Sequence, residues 1–138
     1  MYTTLAFLCK KPSMSTAAFI SYYETHHVPL INSLVGPENT PLVYKRRYTH
    51  LDDASRVAAR ATRTAECKSL DGDGQEGEMV DFDVVTEIAF ESREKRDAWG
   101  QALVRNGEGG KVVVEDEERF LDRGRTRAHV VEEFVTCG

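Results

Sequence analysis

The chain has 138 residues, 41% of them hydrophobic and 30% charged, with a formal net charge of −5. That is enough for one folded domain, 1–138, with its own core. The charge argues against a nucleic-acid partner, which needs a concentrated basic surface, and no apolar run approaches the roughly 18 residues of a membrane span. Three widely spaced cysteines, Cys9, Cys67 and Cys137, and a first ten residues without a signal-peptide pattern predict reduced thiols and a cytoplasmic location.

Residues 2–10 are rich in β-formers and stop at Lys11-Pro12, which predicts a first strand. Leu5, Phe7 and Cys9 share one of its faces; Thr4, Ala6 and Leu8 share the other. Ser15 is placed to cap a helix that opens with Thr16-Ala17-Ala18. At about 100° per residue, Phe19, Tyr23, His26 and Leu30 then form a narrow apolar stripe, with Tyr22 and His27 on its shoulders. Pro29 removes a helical N–H and biases Val28 out of the helical region, so the helix should kink or break just after the histidines. Residues 30–35 resume as a short apolar turn that stops at Gly36-Pro37.

Residues 41–50 read as a second strand, with Leu42, Tyr44, Arg46, Tyr48 and His50 facing inward. Residues 52–65 suit a surface helix. Residues 70–78 form an acidic, glycine-rich loop that fails as an EF-hand, since its glycine is one place late and Phe82 stands where a bidentate Glu is needed. Residues 81–90 are the clearest strand, with Phe82, Val84, Thr86, Ile88 and Phe90 alternating against Asp83, Val85, Glu87 and Ala89. Ser92 caps a helix burying Ala98, Trp99, Ala102 and Leu103; residues 111–121 form a further helix on Val113, Val114, Phe120 and Leu121. Residues 127–136 read as the last strand.

The order strand, helix, strand, strand, helix, strand predicts an α+β, ferredoxin-like β-α-β-β-α-β domain, one antiparallel sheet with helices on one face. The other sheet face would still carry apolar residues, which a second copy stacked face to face would cover, predicting a homodimer.

Residues 19–30 concentrate the proton-transfer chemistry. Adjacent helical residues point about 100° apart, so His26 and His27 cannot grip one metal ion together, and Glu24 with His27 is the only Glu-x-x-His pair in the stretch. No metal or cofactor is therefore expected. A Ser or Cys nucleophile lacks any Gly-x-Ser-x-Gly or equivalent context. Metal-free acid–base work by a histidine remains, with Asp83 or Glu87 as an orienting carboxylate. It stands beside the plainer reading of a core histidine bonded to backbone freed by Pro29. Trp99 suits core packing or a pocket wall, and an inward Arg46 needs an anion.

The run Phe7-Leu8-Cys9-Lys10-Lys11-Pro12 continues into Phe19, Tyr22-Tyr23, His27, Pro29 and Leu30, then Phe82-Asp83-Val84-Val85-Thr86-Glu87 with Phe90, then Asp116 to Asp122. Together these resemble the EthD family of the dimeric α/β-barrel superfamily. The family's histidine maps to His27, which makes His26 an addition, and the second aromatic, often Trp, is Tyr23. The segment 51–80 stands outside the resemblance as a variable insert. The Tyr-Tyr-Glu-x-x-His-x-Pro-Leu and Tyr-Lys-Arg-Arg-Tyr elements are similar to EthD proteins of fungal aromatic-polyketide pathways, some of them assigned as decarboxylases. The resemblance implies a homodimeric α/β barrel with a pocket between helices and sheet. It leaves several activities open, of which a cofactor-independent lyase that decarboxylates an aromatic or β-keto polyketide acid is the one expected here. In that scheme His27 is the acid/base, Asp83 orients it, Tyr23, Tyr44 and Trp99 contact substrate, and Arg46 anchors its carboxylate. A cofactor-free oxygenase, an aldol-type cyclase and a non-catalytic small-molecule-binding protein are the alternatives.

Overall fold

The β-rich N-terminus forms β1 (Tyr2–Leu8), which lies inside a four-stranded sheet rather than at its edge. The computed structural model describes residues 1–49 and 82–137. In it β2 (Val43–Tyr48), β3 (Val84–Phe90) and β4 (Arg127–Val131) join β1 in the order β2-β3-β1-β4, every pairing antiparallel. This is the ferredoxin-like strand order that the element pattern predicts. The chain divides into two compact units, Met1–Tyr48 with Phe82–Gly138, and Thr49–Asp81. The expected helix at 52–65, the acidic loop at 70–78 and His50 lie outside the described residues. Among those described, no helix is long and apolar enough to cross a membrane.

Register and alternation set which side chains meet the helices. Ala6 stands opposite Thr86 on one side and Ala128 on the other, and Ile88 stands opposite Thr4 and Tyr44. The period of two then places Thr4, Ala6, Leu8, Thr86 and Ile88 on one face, with Leu5, Phe7, Val85 and Glu87 on the other. The inward parity expected of this strand holds at Tyr44, Arg46 and Tyr48, all partly covered while Lys45 and Arg47 are exposed, and fails at Leu42, which lies just before β2 and is exposed. β4 stops at Val131, short of the expected 136, because Val131 already pairs with Thr3 near the start of β1 and little partner strand remains.

Ser15 caps the first helix as expected, its Oγ accepting the Ala18 N–H at 3.1 Å. The helix does not break at Pro29. α1 (Thr16–Tyr22) passes into a π turn (Tyr23–His27), which runs directly into α2 (Val28–Val35), with backbone angles helical at each junction. The Val28 N–H reaches back five residues to the Tyr23 carbonyl. This wider turn takes up the carbonyls around the position where Pro29 has no N–H to offer, and α2 continues with proline in its first turn, where a missing donor costs little. Thr25 Oγ donates to the Ser21 carbonyl at 2.6 Å, satisfying another group in the altered ladder.

The π turn also changes which side chains are buried. One extra residue per turn advances the phase by about 100°. The stripe beyond Tyr23 therefore shifts by one position, and Phe19, Tyr23, His27, Ile31 and Val35 are buried while His26 is exposed. This overturns the regular-helix phase that favoured His26. Gly36, at φ 77°, ends α2 in a conformation that favours glycine.

α3 (Arg93–Asn106) begins at Ser92, whose Oγ accepts the Lys95 N–H, and α4 (Lys111–Phe120) follows a glycine turn. Leu8, Phe19, Tyr23, Val84, Phe120 and Leu121 form the core that joins sheet and helices. Full burial of a large apolar side chain there contributes about 1.5–3 kcal/mol.

Candidate functional site

His27 sits on the last position of the π turn, 7% exposed, and its Nδ1 lies 2.8 Å from Asp116 Oδ2. Asp116 is 6% exposed and comes from the inward face of α4. Its other oxygen, Oδ1, accepts the Tyr22 hydroxyl at 2.6 Å. A carboxylate only accepts, so Nδ1 carries the proton and the neutral ring keeps its lone pair on Nε2. That tautomer is assigned from the hydrogen-bond network. Phe120 at 4.9 Å and Tyr23 at 5.5 Å between ring centroids hold the plane of the imidazole. Burial, and then the bond to Asp116, pushes the Tyr22 phenol above its ordinary range, so Tyr22 stays a donor at neutral pH.

A cavity of about 380 Å³ lies between the sheet and these helices, within the size range of ligand sites. Thr4, Ala6, Leu8, Thr86, Ile88 and Tyr44 line its sheet side, while Tyr23, His27, Ile31 and Val113 close it from above. Asp116 is not among the lining residues. It stands behind His27, whose ring lines a mostly apolar space and whose Nε2 has no hydrogen-bond partner among the described residues. Such a histidine can take a proton when neutral and give one when charged, with Asp116 fixing the orientation of its ring.

The floor holds a second polar feature. Tyr23 Oη and Thr86 Oγ1 are 2.7 Å apart and fully buried, with Tyr44 on the same cavity wall. Burial raises the Tyr23 phenol to about 12 and pushes Tyr44 higher still. Both are therefore hydrogen-bonding groups, not bases, at any physiological pH.

Of the residues singled out in the sequence, the structure brings His27, Tyr23, Tyr44 and Trp99 to one cavity. Asp83 is placed elsewhere: it stands just before β3, where its Oδ2 accepts the Lys10 N–H at 2.8 Å. The carboxylate on His27 is that of Asp116. Arg46 is also absent from the cavity wall. Its Nε and Nη2 donate to Glu24 at 3.0 and 2.7 Å, its Nη1 donates to the Tyr44 carbonyl at 2.8 Å, and its guanidinium lies 5.0 Å over the Tyr44 ring. Hydrogen bonds from Arg46 hold the Glu24 carboxyl below its ordinary range against the opposing effect of burial, and the Tyr48 hydroxyl adds to them. An arginine spent on an internal carboxylate is poorly placed to anchor another. His26 stacks on Tyr22 at 4.8 Å, with its Nδ1 on Thr25, outside the cavity.

Two residues escaped the sequence reading. Asp116 had a readable signal, since it shares an apolar helical stripe with Val113 and Phe120, at spacings of three and four. A carboxylate on such a stripe needs a buried partner. Arg96 lines the cavity from α3; nothing in a run of surface-type charges marks it out.

The family model for the EthD domain matches residues 11–124. Among solved structures, an ethyl tert-butyl ether D (EthD) family protein from Bacillus halodurans is similar in fold, at 18% identity and a TM-score of 0.53. The match covers 97% of this chain and 100% of that one. No curated protein matches the chain.

Proposed function

The chain belongs to the EthD family, and from that premise we propose that it is a cofactor-independent lyase that decarboxylates an aromatic or β-keto polyketide carboxylic acid in the cytoplasm, as a homodimer. The observation that carries the reading is the buried His27–Asp116 pair with Nε2 left for an apolar cavity. A β-keto acid loses carbon dioxide when the electrons of the breaking C–C bond pass into an enol. Protonated His27 supplies the proton to the ketone oxygen as that bond breaks, and Asp116 holds the ring in place through Nδ1. The enol then returns that proton to His27 as it collects one at carbon, and the net products are a ketone and carbon dioxide. Apolar walls favour the step, since charge on the departing carboxylate disperses in the transition state. Tyr23 and Tyr44 supply a polar floor beneath the ring system, and Asp116 takes the orienting role first expected of Asp83.

One feature favours a second reading. The tautomer held by Asp116 makes neutral His27 a base at Nε2, which suits proton abstraction in an aldol-type cyclase or a cofactor-free oxygenase. Incubation with poly-β-keto acids and anthrones under air and under argon separates the readings. Carbon dioxide release that is equal in both atmospheres, and at least about tenfold lower in His27→Ala, is expected of the lyase. Oxygen-dependent turnover moves the chain to the oxygenase reading, and a fully active His27→Ala protein removes the histidine mechanism. A ligand bound with His27 out of reach and no turnover would make the chain a small-molecule carrier.

A further inference from the structure

One wall of the cavity carries a cation without a partner among the described residues. Arg96, in the first turns of α3, lines it, and among the described residues its guanidinium makes no hydrogen bond or ion pair. Trp99, three residues on and so on the same helix face, lines it too. Its indole Nε1–H is buried without an acceptor, and its ring is packed on Phe90 at 5.7 Å. The cavity's carboxylate, Glu117, accepts the Arg123 Nε–H at 3.2 Å, and Arg46 is committed to Glu24. Arg96 is the cation left over among the described lining residues. A guanidinium with no anion beside it keeps its N–H groups for an incoming acceptor.

We propose that Arg96 binds the carboxylate of an aromatic acid and selects acids over the matching neutral amides. The planar guanidinium presents paired N–H groups to both carboxylate oxygens, a match that lysine does not reproduce. One uncommitted cation in mostly apolar walls suits a monoanion with an aromatic body, not a phosphate ester with two charges. The choice of an aromatic acid rests on the lyase reading above; the role of Arg96 as the anion-reading group concerns binding alone. It takes the part that sequence parity had given to Arg46.

Trp99 is the only tryptophan of the chain, so its emission reports on this wall directly. The test is titration of the full-length protein with 2-naphthoic acid and with 2-naphthamide, followed by Trp99 fluorescence and by calorimetry. The acid is expected to bind at least about tenfold more tightly than the amide. Arg96→Gln should weaken the acid alone until the two lie within about threefold, and Arg96→Lys should recover only part of the preference. Equal binding of acid and amide by the unmodified protein overturns the proposal. So does an acid preference that survives Arg96→Gln, or no binding of either compound at millimolar concentration. The acid preference should persist in His27→Ala. Intact preference without carbon dioxide release from any acid would count against the lyase reading and leave the Arg96 assignment standing.

Discussion

Glu24 and His27 stand three residues apart on one π turn, and each meets a polar partner brought in from a distant element. Around Glu24 little is left to offer. Arg46 gives it two N–H groups and Tyr48 a hydroxyl, and the remaining end of the guanidinium is spent on the Tyr44 carbonyl. Around His27 the pairing is complete on one side only: Nδ1 is held by Asp116, while Nε2 has no partner among the described residues in a ring that lines an apolar cavity. A polar cluster whose members satisfy one another rigidifies a fold. A buried polar pair that leaves one edge unused, facing room for a ligand, is where chemistry is to be sought.

The largest expected effect that would break this contrast lies at Asp116. Asp116→Asn removes the charge behind the imidazole and no longer forces the proton onto Nδ1. Turnover measured as carbon dioxide release should fall about a hundredfold. Asp83→Asn should leave turnover nearly unchanged. The reverse pattern would restore Asp83 as the orienting residue.

Next comes Arg46. Arg46→Met leaves a half-buried carboxylate with only the Tyr48 hydroxyl and the Tyr44 carbonyl without the guanidinium, and should cost about 1–3 kcal/mol of stability in thermal or urea unfolding. Turnover should stay within about threefold. Lost turnover with unchanged stability would mean that Arg46 holds substrate after all.

The smallest effect sharpens the same contrast through pH. Arg46 lowers the Glu24 carboxyl below its ordinary value of 4.5. A depressed acid contributes stability that is present above its unfolded pKa and is lost as pH falls through the folded one. Melting temperatures should therefore drop more steeply below about pH 4.5 in the unmodified protein than in Glu24→Gln. Parallel curves would mean that the Glu24 cluster contributes little to folding. Partial exposure of the pair keeps this effect modest.

Much of the frame was legible because it follows local rules. Ser15 and Ser92 announce helix starts, and period-two alternation places Tyr44, Arg46 and Tyr48 on the covered side of β2. Parity gives a side, though not a partner. It sends Arg46 inward without saying that Glu24 waits there, 22 residues earlier in the chain. The histidines show the limit of a fixed period. A 3.6-residue phase favours His26, whereas Phe19, Tyr23, His27, Ile31 and Val35 recur every four residues, a spacing that only a widened turn can bury together. His27 was recovered from the family motif. Asp116 lies 89 residues from its partner, and no local rule spans that distance; only its place on the stripe of Val113 and Phe120 gave a hint.

The most direct test of the central claim is a crystal structure with an aromatic β-keto acid analogue in the cavity. His27 Nε2 should lie within about 2.6–3.2 Å of the ligand's ketone or hydroxyl oxygen, with Nδ1 still bonded to Asp116. A ligand seated in the cavity with Nε2 out of reach, or with the His27–Asp116 bond broken, would contradict it.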